Sequence, residues 1–148
     1  MYFSDLSEYR YGLPVPLSGV LNVGWLSSGM SFPRGEVPPA LREAILTWTF
    51  YGRANVMRGE HRCELCSSRE PVDVEFSGRH MRLGSAEIWL PGGEVVYAAP
   101  NLLWHYVERH RYLPPLSFLE AVQRASPVGW DAEVECNRRI GEALKDEP

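Results

Sequence analysis

Lysine is almost missing from this chain: of its 15 basic residues only Lys145 is a lysine, and 19 acidic residues leave a net charge of −4. Nucleic-acid binders draw most of their affinity from cationic side chains that release counterions from phosphate. With no cationic surplus, nucleic acid is not the expected partner. Cysteine is scarce too. Three cysteines, two of them in a Cys-x-x-Cys pair, are the wrong number for an extracellular disulfide framework and suit metal binding better. A long apolar run is also lacking. Residues 11–33 carry no charge, but Pro14, Pro16, Gly19, Asn22, Gly24 and Gly29 interrupt them well short of the ~20 residues a bilayer span needs. Met1 to Arg10 contains Asp5 and Glu8 where a secretory leader would be basic. The expectation is a cytoplasmic protein with no membrane span.

What is present is an ordinary globular composition, 148 residues of which 45% are hydrophobic and 23% charged. A chain of this length can bury roughly two thirds of its unfolded surface, enough for one core without staples, so a single domain over 1–148 is expected. The class is α+β: a small sheet with a hairpin, and about four helices. Val20 to Leu26 reads as a strand weakened by Gly24. Pro38-Pro39 opens a helix whose Leu41, Ala44, Ile45, Trp48 and Tyr51 recur at three- and four-residue spacing until Gly52. Between Arg53 and Arg82, six arginines are nearly matched by five acidic residues, a solvated and ion-paired stretch within which Val72 to Phe76 alternates as a strand does. Ala86 to Leu90 and Glu94 to Ala98 flank Pro91-Gly92-Gly93 as a hairpin. A helix from Pro100 and Asn101 to His110 ends before Pro114-Pro115, Ser117 and Glu120 have the form of a capping box for the next, and Asp131 caps a last helix over 131–145. The tail Asp146-Glu147-Pro148 is expected to fray.

The feature that carries chemistry is Cys63-Glu64-Leu65-Cys66, followed after the hairpin by His105 and His110. Two thiolates two residues apart clasp one borderline-soft cation from a tight turn, and a histidine pair on a helix completes a tetrahedral zinc site. The zinc-binding centre would then span about 58–112. In an ideal helix, positions five apart point about 140° away from each other, so both imidazoles converge only if the last turn loosens. Three other readings stay open: two reduced thiols in a turn, a redox dithiol, or a set in which His61 replaces one histidine, with His80 a weaker rival. Cys136 reads as a small buried hydrophobe on its helix.

No nucleophile and base sit at a recognised spacing. Cys-x-x-Cys, Gly92-Gly93 and a helix ending in histidine have the outline of a His-Asn-His nuclease finger, but its hairpin histidine is replaced here by Glu87, Ile88 and Trp89. A degenerate nuclease of that kind, or a metal-dependent hydrolase using Glu87 or Glu60 as base, is the enzymatic alternative. The leading expectation is a non-catalytic protein-interaction module stabilised by zinc. Its acidic balance suits a basic protein partner, as in immunity or antitoxin proteins. Alternation along the hairpin puts Glu87 and Trp89 on the face opposite Ala86, Ile88 and Leu90, which makes them candidate partner-binding residues unless a helix covers them.

Arg58-Gly59-Glu60-His61-Arg62-Cys63-Glu64-Leu65-Cys66, Gly84-Ser85-Ala86-Glu87-Ile88, and Tyr97-Ala98-Ala99-Pro100 running on to His105-Tyr106-Val107 and His110-Arg111-Tyr112-Leu113-Pro114-Pro115 form one pattern with Asn22-Val23-Gly24-Trp25-Leu26 upstream. On these residues the chain resembles an uncharacterised family of small bacterial proteins, a domain of unknown function, over roughly residues 20–125. The resemblance implies membership and no activity. A looser similarity is to treble-clef zinc domains, which usually take their second ligand pair from the first turn of the helix, whereas His105 and His110 come later.

Overall fold

The computed structural model describes residues 1–145; Asp146-Glu147-Pro148, expected to fray, lie outside the described residues. In chain order these hold β1 (Glu8–Tyr9), β2 (Leu17–Asn22), α1 (Pro39–Tyr51), β3 (Arg53–Ala54), β4 (Asp73–Phe76), β5 (Arg79–Arg82), β6 (Glu87–Pro91), β7 (Val96–Pro100), α2 (Leu103–His110), α3 (Leu116–Arg124) and α4 (Ala132–Lys145). The class is α+β, with four helices among the described residues. One sheet runs in the order β1-β2-β7-β6-β3, and β4-β5 form a separate ribbon.

The β6–β7 hairpin forms as expected, each strand set one to two residues later than the pattern suggested, with Gly92 N–H donating to the Val95 carbonyl at 2.8 Å across the turn. Val20 pairs with Val96 and Asn22 with Ala98 in parallel register. This strand stops at Asn22, short of the Val20 to Leu26 expectation, because Gly24 has φ +75 and turns the chain out of the strand direction. Pro39 and Gly52 bound α1 as their chemistry predicts. At α3 the capping box does not form: the helix begins at Leu116 after Pro115, so Ser117 already lies inside it, and no side chain caps the start. Asp131 does cap α4, its Oδ1 accepting from Val134 N–H at 3.0 Å. α2 begins at Leu103 rather than Pro100, which is still the last residue of β7.

Both faces of the sheet are apolar, and each has its own cover. Ile88 and Leu90 of β6 and Tyr97 and Ala99 of β7 point into a core shared with Trp48 of α1, Val107 of α2 and Phe118 of α3. The alternate residues Trp89, Val96 and Ala98 join Tyr9, Trp25 and Cys136 in a second core on the other side, where α4 packs over β2, β3 and β6. The period of two along a strand thus fills two layers. Trp89 and Glu87 are each 0% exposed, so the expectation that they form a partner-binding face is corrected. The cover comes from α4 and β1, elements far from the hairpin in sequence. Tyr9 meets Trp89 edge-on at 5.3 Å, and Trp130 Nε1 donates to the Trp89 carbonyl. Cys136 is buried in this layer as a small apolar residue.

Candidate metal centre

The Cys63 loop is a polar segment with little core of its own, and backbone hydrogen bonds fix it to the start of the hairpin. Met57 N–H donates to the Ser85 carbonyl and His61 N–H to the Gly84 carbonyl, both at 2.7 Å. Gly84 N–H in turn donates to Asn101 Oδ1 at 2.8 Å. Gly84 has φ +115, and a Cβ there would lie 2.2 Å from the His61 carbonyl oxygen. Only glycine fits this backbone crossing. Gly84→Ala should therefore cost about 2–4 kcal/mol and weaken whatever the loop binds, a result to be read by urea denaturation with metal content measured in parallel.

On the other side, α2 carries His105 in its first turn and His110 as its last residue. The loosening that the five-residue spacing demanded is present in the last turn. The Tyr106 carbonyl, which in a regular helix accepts the N–H four residues on, takes the N–H of Arg111 and that of Tyr112. Arg111 ends the helix in the left-handed region at φ 57. The two imidazole rings meet at 5.1 Å between centroids.

The ligand atoms of Cys63, Cys66, His105 and His110 all lie within 4.8 Å of one another. Cys66 Sγ is 3.2 Å from His105 Nε2 and 3.3 Å from His110 Nε2, and Cys63 Sγ is 3.4 Å from His110 Nε2. Metal–sulfur bonds of about 2.3 Å and metal–nitrogen bonds of about 2.0–2.1 Å at tetrahedral angles would set sulfur and nitrogen about 3.5 Å apart. The four donors therefore match one tetrahedral ion. Two sulfurs and two imidazole nitrogens are also the donor chemistry of borderline-soft cations and a poor match for the oxygen-seeking magnesium and calcium.

Electrostatics around the group fit metal binding. Burial, with the nearby His110 and Arg109, pushes His105 down to about 4, and burial with Arg109 and Arg34 lowers His110 as well. Both rings are neutral at physiological pH, the form that ligates. Burial pushes the Cys63 thiol up to about 11. A thiol in that position ionises when a cation supplies the compensating charge.

The rival ligands sit elsewhere. His61 is exposed and fixed by its backbone to Gly84, and His80 is exposed on β5 beside Glu75 at 3.9 Å. Neither base of the hydrolase alternative belongs to the group. Glu60 faces Arg62 at 3.5 Å and Arg82 at 3.8 Å, while the Glu87 carboxylate is held by Tyr9, Asn55 and Trp89. Asn101 has a role that the sequence reading missed. The sequence places it only at the opening of a helix, whereas its side chain reaches back to Gly84 and ties the hairpin start to the ligand loop.

No curated protein and no solved structure matches the chain. A family model described as Domain of unknown function (DUF7919) matches residues 1–123, which hold all four candidate ligands and every strand; only α4 falls wholly beyond the match. On that coverage the chain belongs to this family of domains of unknown function.

Proposed function

We propose that the protein is a zinc-stabilised interaction module in which the metal is structural and the chain performs no turnover of its own. The observation that carries this reading is the closed donor set: Cys63, Cys66, His105 and His110 supply four protein ligands, where a catalytic zinc keeps a position open for water. Two thiolates and two neutral imidazoles suit zinc in particular. The ion would hold the loop at 58–70 against α2, a segment whose polar composition gives it little hydrophobic reason to stay. The excess of 19 acidic over 15 basic residues suits a protein partner with a basic surface, the kind that immunity and antitoxin proteins cover. Trp89 and Glu87 belong to the core and are not part of the contact surface of this reading.

Metal analysis of untagged protein should return zinc near one per chain, and X-ray absorption at the zinc edge should show two sulfur and two nitrogen neighbours with no additional oxygen. His110→Ala should lose the metal, and His61→Ala should keep it. An oxygen neighbour, with metal-dependent hydrolysis of a phosphodiester or ester abolished by Glu60→Gln, would replace the structural reading with the enzymatic one.

A further inference from the structure

The loop that carries Cys63 and Cys66 is tied to the rest of the molecule at its two ends. His61 N–H donates to the Gly84 carbonyl, and past the loop the Val72 carbonyl accepts from Leu83 N–H at 2.8 Å. Between these anchors the chain is mostly polar, and Leu65 and the two cysteines are what it turns toward the core. Glu64 adds bonds from the Ser27 and Ser28 hydroxyls, both at 3.2 Å. A metal on Cys63 and Cys66 is thus the main clasp on residues 62–71.

The two thiols differ in access. Cys63 is 0% exposed, whereas Cys66 is half-buried and leads into the exposed Ser67 and Ser68. They stand at the ends of a tight turn centred on Glu64-Leu65. The Cα atoms at the ends of such a turn lie within ~7 Å, which overlaps the ~4.4–6.8 Å that a disulfide spans. Both sulfurs belong to the group of ligand atoms within 4.8 Å of one another. Cys136 is remote from this pair, buried in the other layer under α4. Zinc holds both ligand sulfurs as thiolates, the nucleophilic form, and a two-electron oxidant converts such a pair to a disulfide. The ion then keeps only His105 and His110, too few to retain it.

We propose that Cys66 and Cys63 form a site of reversible oxidation by peroxides, at which disulfide formation expels the metal and frees residues 62–71. The Cys66 thiolate attacks a peroxide oxygen and breaks the O–O bond, giving a sulfenic acid and, from hydrogen peroxide, hydroxide. The Cys63 thiolate attacks the Cys66 sulfur, and the S–O bond breaks with loss of a second hydroxide. Two electrons pass from the sulfurs to the peroxide, two protons from solvent turn both hydroxides into water, and the zinc ion leaves with its charge unchanged. This site rests on the structural-zinc reading, so zinc is measured before any oxidant is added.

The test treats the full chain, purified reduced with its zinc, with hydrogen peroxide while a chromogenic chelator reports free metal. About one zinc per chain should appear, and an alkylated digest should show tryptic peptide 63–69 lighter by the two hydrogens of a disulfide, with Cys136 still reduced. Dimedone present during oxidation should trap Cys66 and not Cys63. Brief trypsin treatment of the native protein should cut after Arg62 or Arg69 about tenfold faster once it is oxidised, because cleavage follows the open population. A thiol reductant with zinc should reverse both changes, and Cys136→Ser should respond as wild type does. A chain purified without zinc overturns both this site and the structural-zinc reading. Zinc present at the start but retained in peroxide, release with sulfinic or sulfonic acid and no disulfide, or a disulfide to Cys136 overturns the oxidation site and leaves the structural metal standing.

Discussion

Cys63→Ser is expected to lose the bound metal and to lower the melting temperature by more than ~10 °C, while Cys136→Ser keeps the metal. Cys63 is 0% exposed and contributes one of four donors, and its sulfur sits 3.4 Å from His110 Nε2. A serine hydroxyl in its place is a far weaker ligand for a borderline-soft cation. Structural zinc sites in small peptides release roughly 10–16 kcal/mol on binding, a figure comparable with the entire 5–15 kcal/mol stability of a typical domain. Even a fraction of it is large for a chain of this size, where 1 kcal/mol moves the midpoint by ~2–4 °C or more. Cys136 is equally buried but lies in the layer under α4, so its serine variant pays only for an unpaired hydroxyl, about 1–3 kcal/mol. A chelator should bring wild type down to the Cys63→Ser midpoint and leave the variant unmoved. If the two cysteine variants lose equal stability and equal metal, or neither loses metal, the donor set is wrong.

The ligands could be read from sequence because metal sites are written in residue type and short spacing. Cys63 and Cys66 belong to one turn, His105 and His110 to one helix, and only the pairing of the two halves had to be supposed. α1 was equally legible, since Pro39 and Gly52 act within their own turns. The α3 capping box fails locally, at Pro115, whereas the layout of the sheet and the cover of the hairpin depend on elements distant in the chain. No local window shows that β2 lies parallel to β7, or that α4, more than 40 residues after Trp89, covers the hairpin face. The alternation along β6 is legible, and whether a partner or a helix covers its second face is not, because the sequence does not say which helix returns to it. The loosened end of α2 was required by the histidine spacing. Its form, a left-handed Arg111 with the Tyr106 carbonyl accepting from residues 111 and 112, follows from a non-glycine residue in a conformation that propensity alone disfavours. The role of Asn101 is hidden for a similar reason: its side chain satisfies a backbone donor 17 residues away, at Gly84.

The second large effect is expected at Glu87, a carboxylate in the core with no cation beside it. Tyr9 Oη lies 3.0 Å from both of its oxygens, Asn55 Nδ2 donates to Oε2 at 2.8 Å and Trp89 Nε1 to Oε1 at 2.9 Å. One side chain thus ties β1, the segment after β3, and β6 together. Glu87→Ala would leave three donors unsatisfied at a 0% exposed position. At about 1–3 kcal/mol for each orphaned group, the loss amounts to several kcal/mol, a large part of a domain's stability. Glu87→Gln keeps one acceptor oxygen and the shape, and should cost far less. The pair also separates charge from hydrogen bonding. Burial raises the Glu87 acid above its ordinary range, and the three donors only partly offset this. A carboxyl whose folded pKa is raised binds its proton more tightly folded than unfolded. Its contribution is therefore complete below the ordinary glutamate range and is lost as pH rises through the raised folded value. Measured against Glu87→Gln, which does not titrate, wild type should gain stability on acidification through that window and lose the gain toward neutral pH. Parallel urea midpoints for wild type and Glu87→Gln across pH 4–8 would contradict a buried, uncompensated carboxylate. A difference that grows toward neutral pH in favour of wild type would instead require a cation near Glu87.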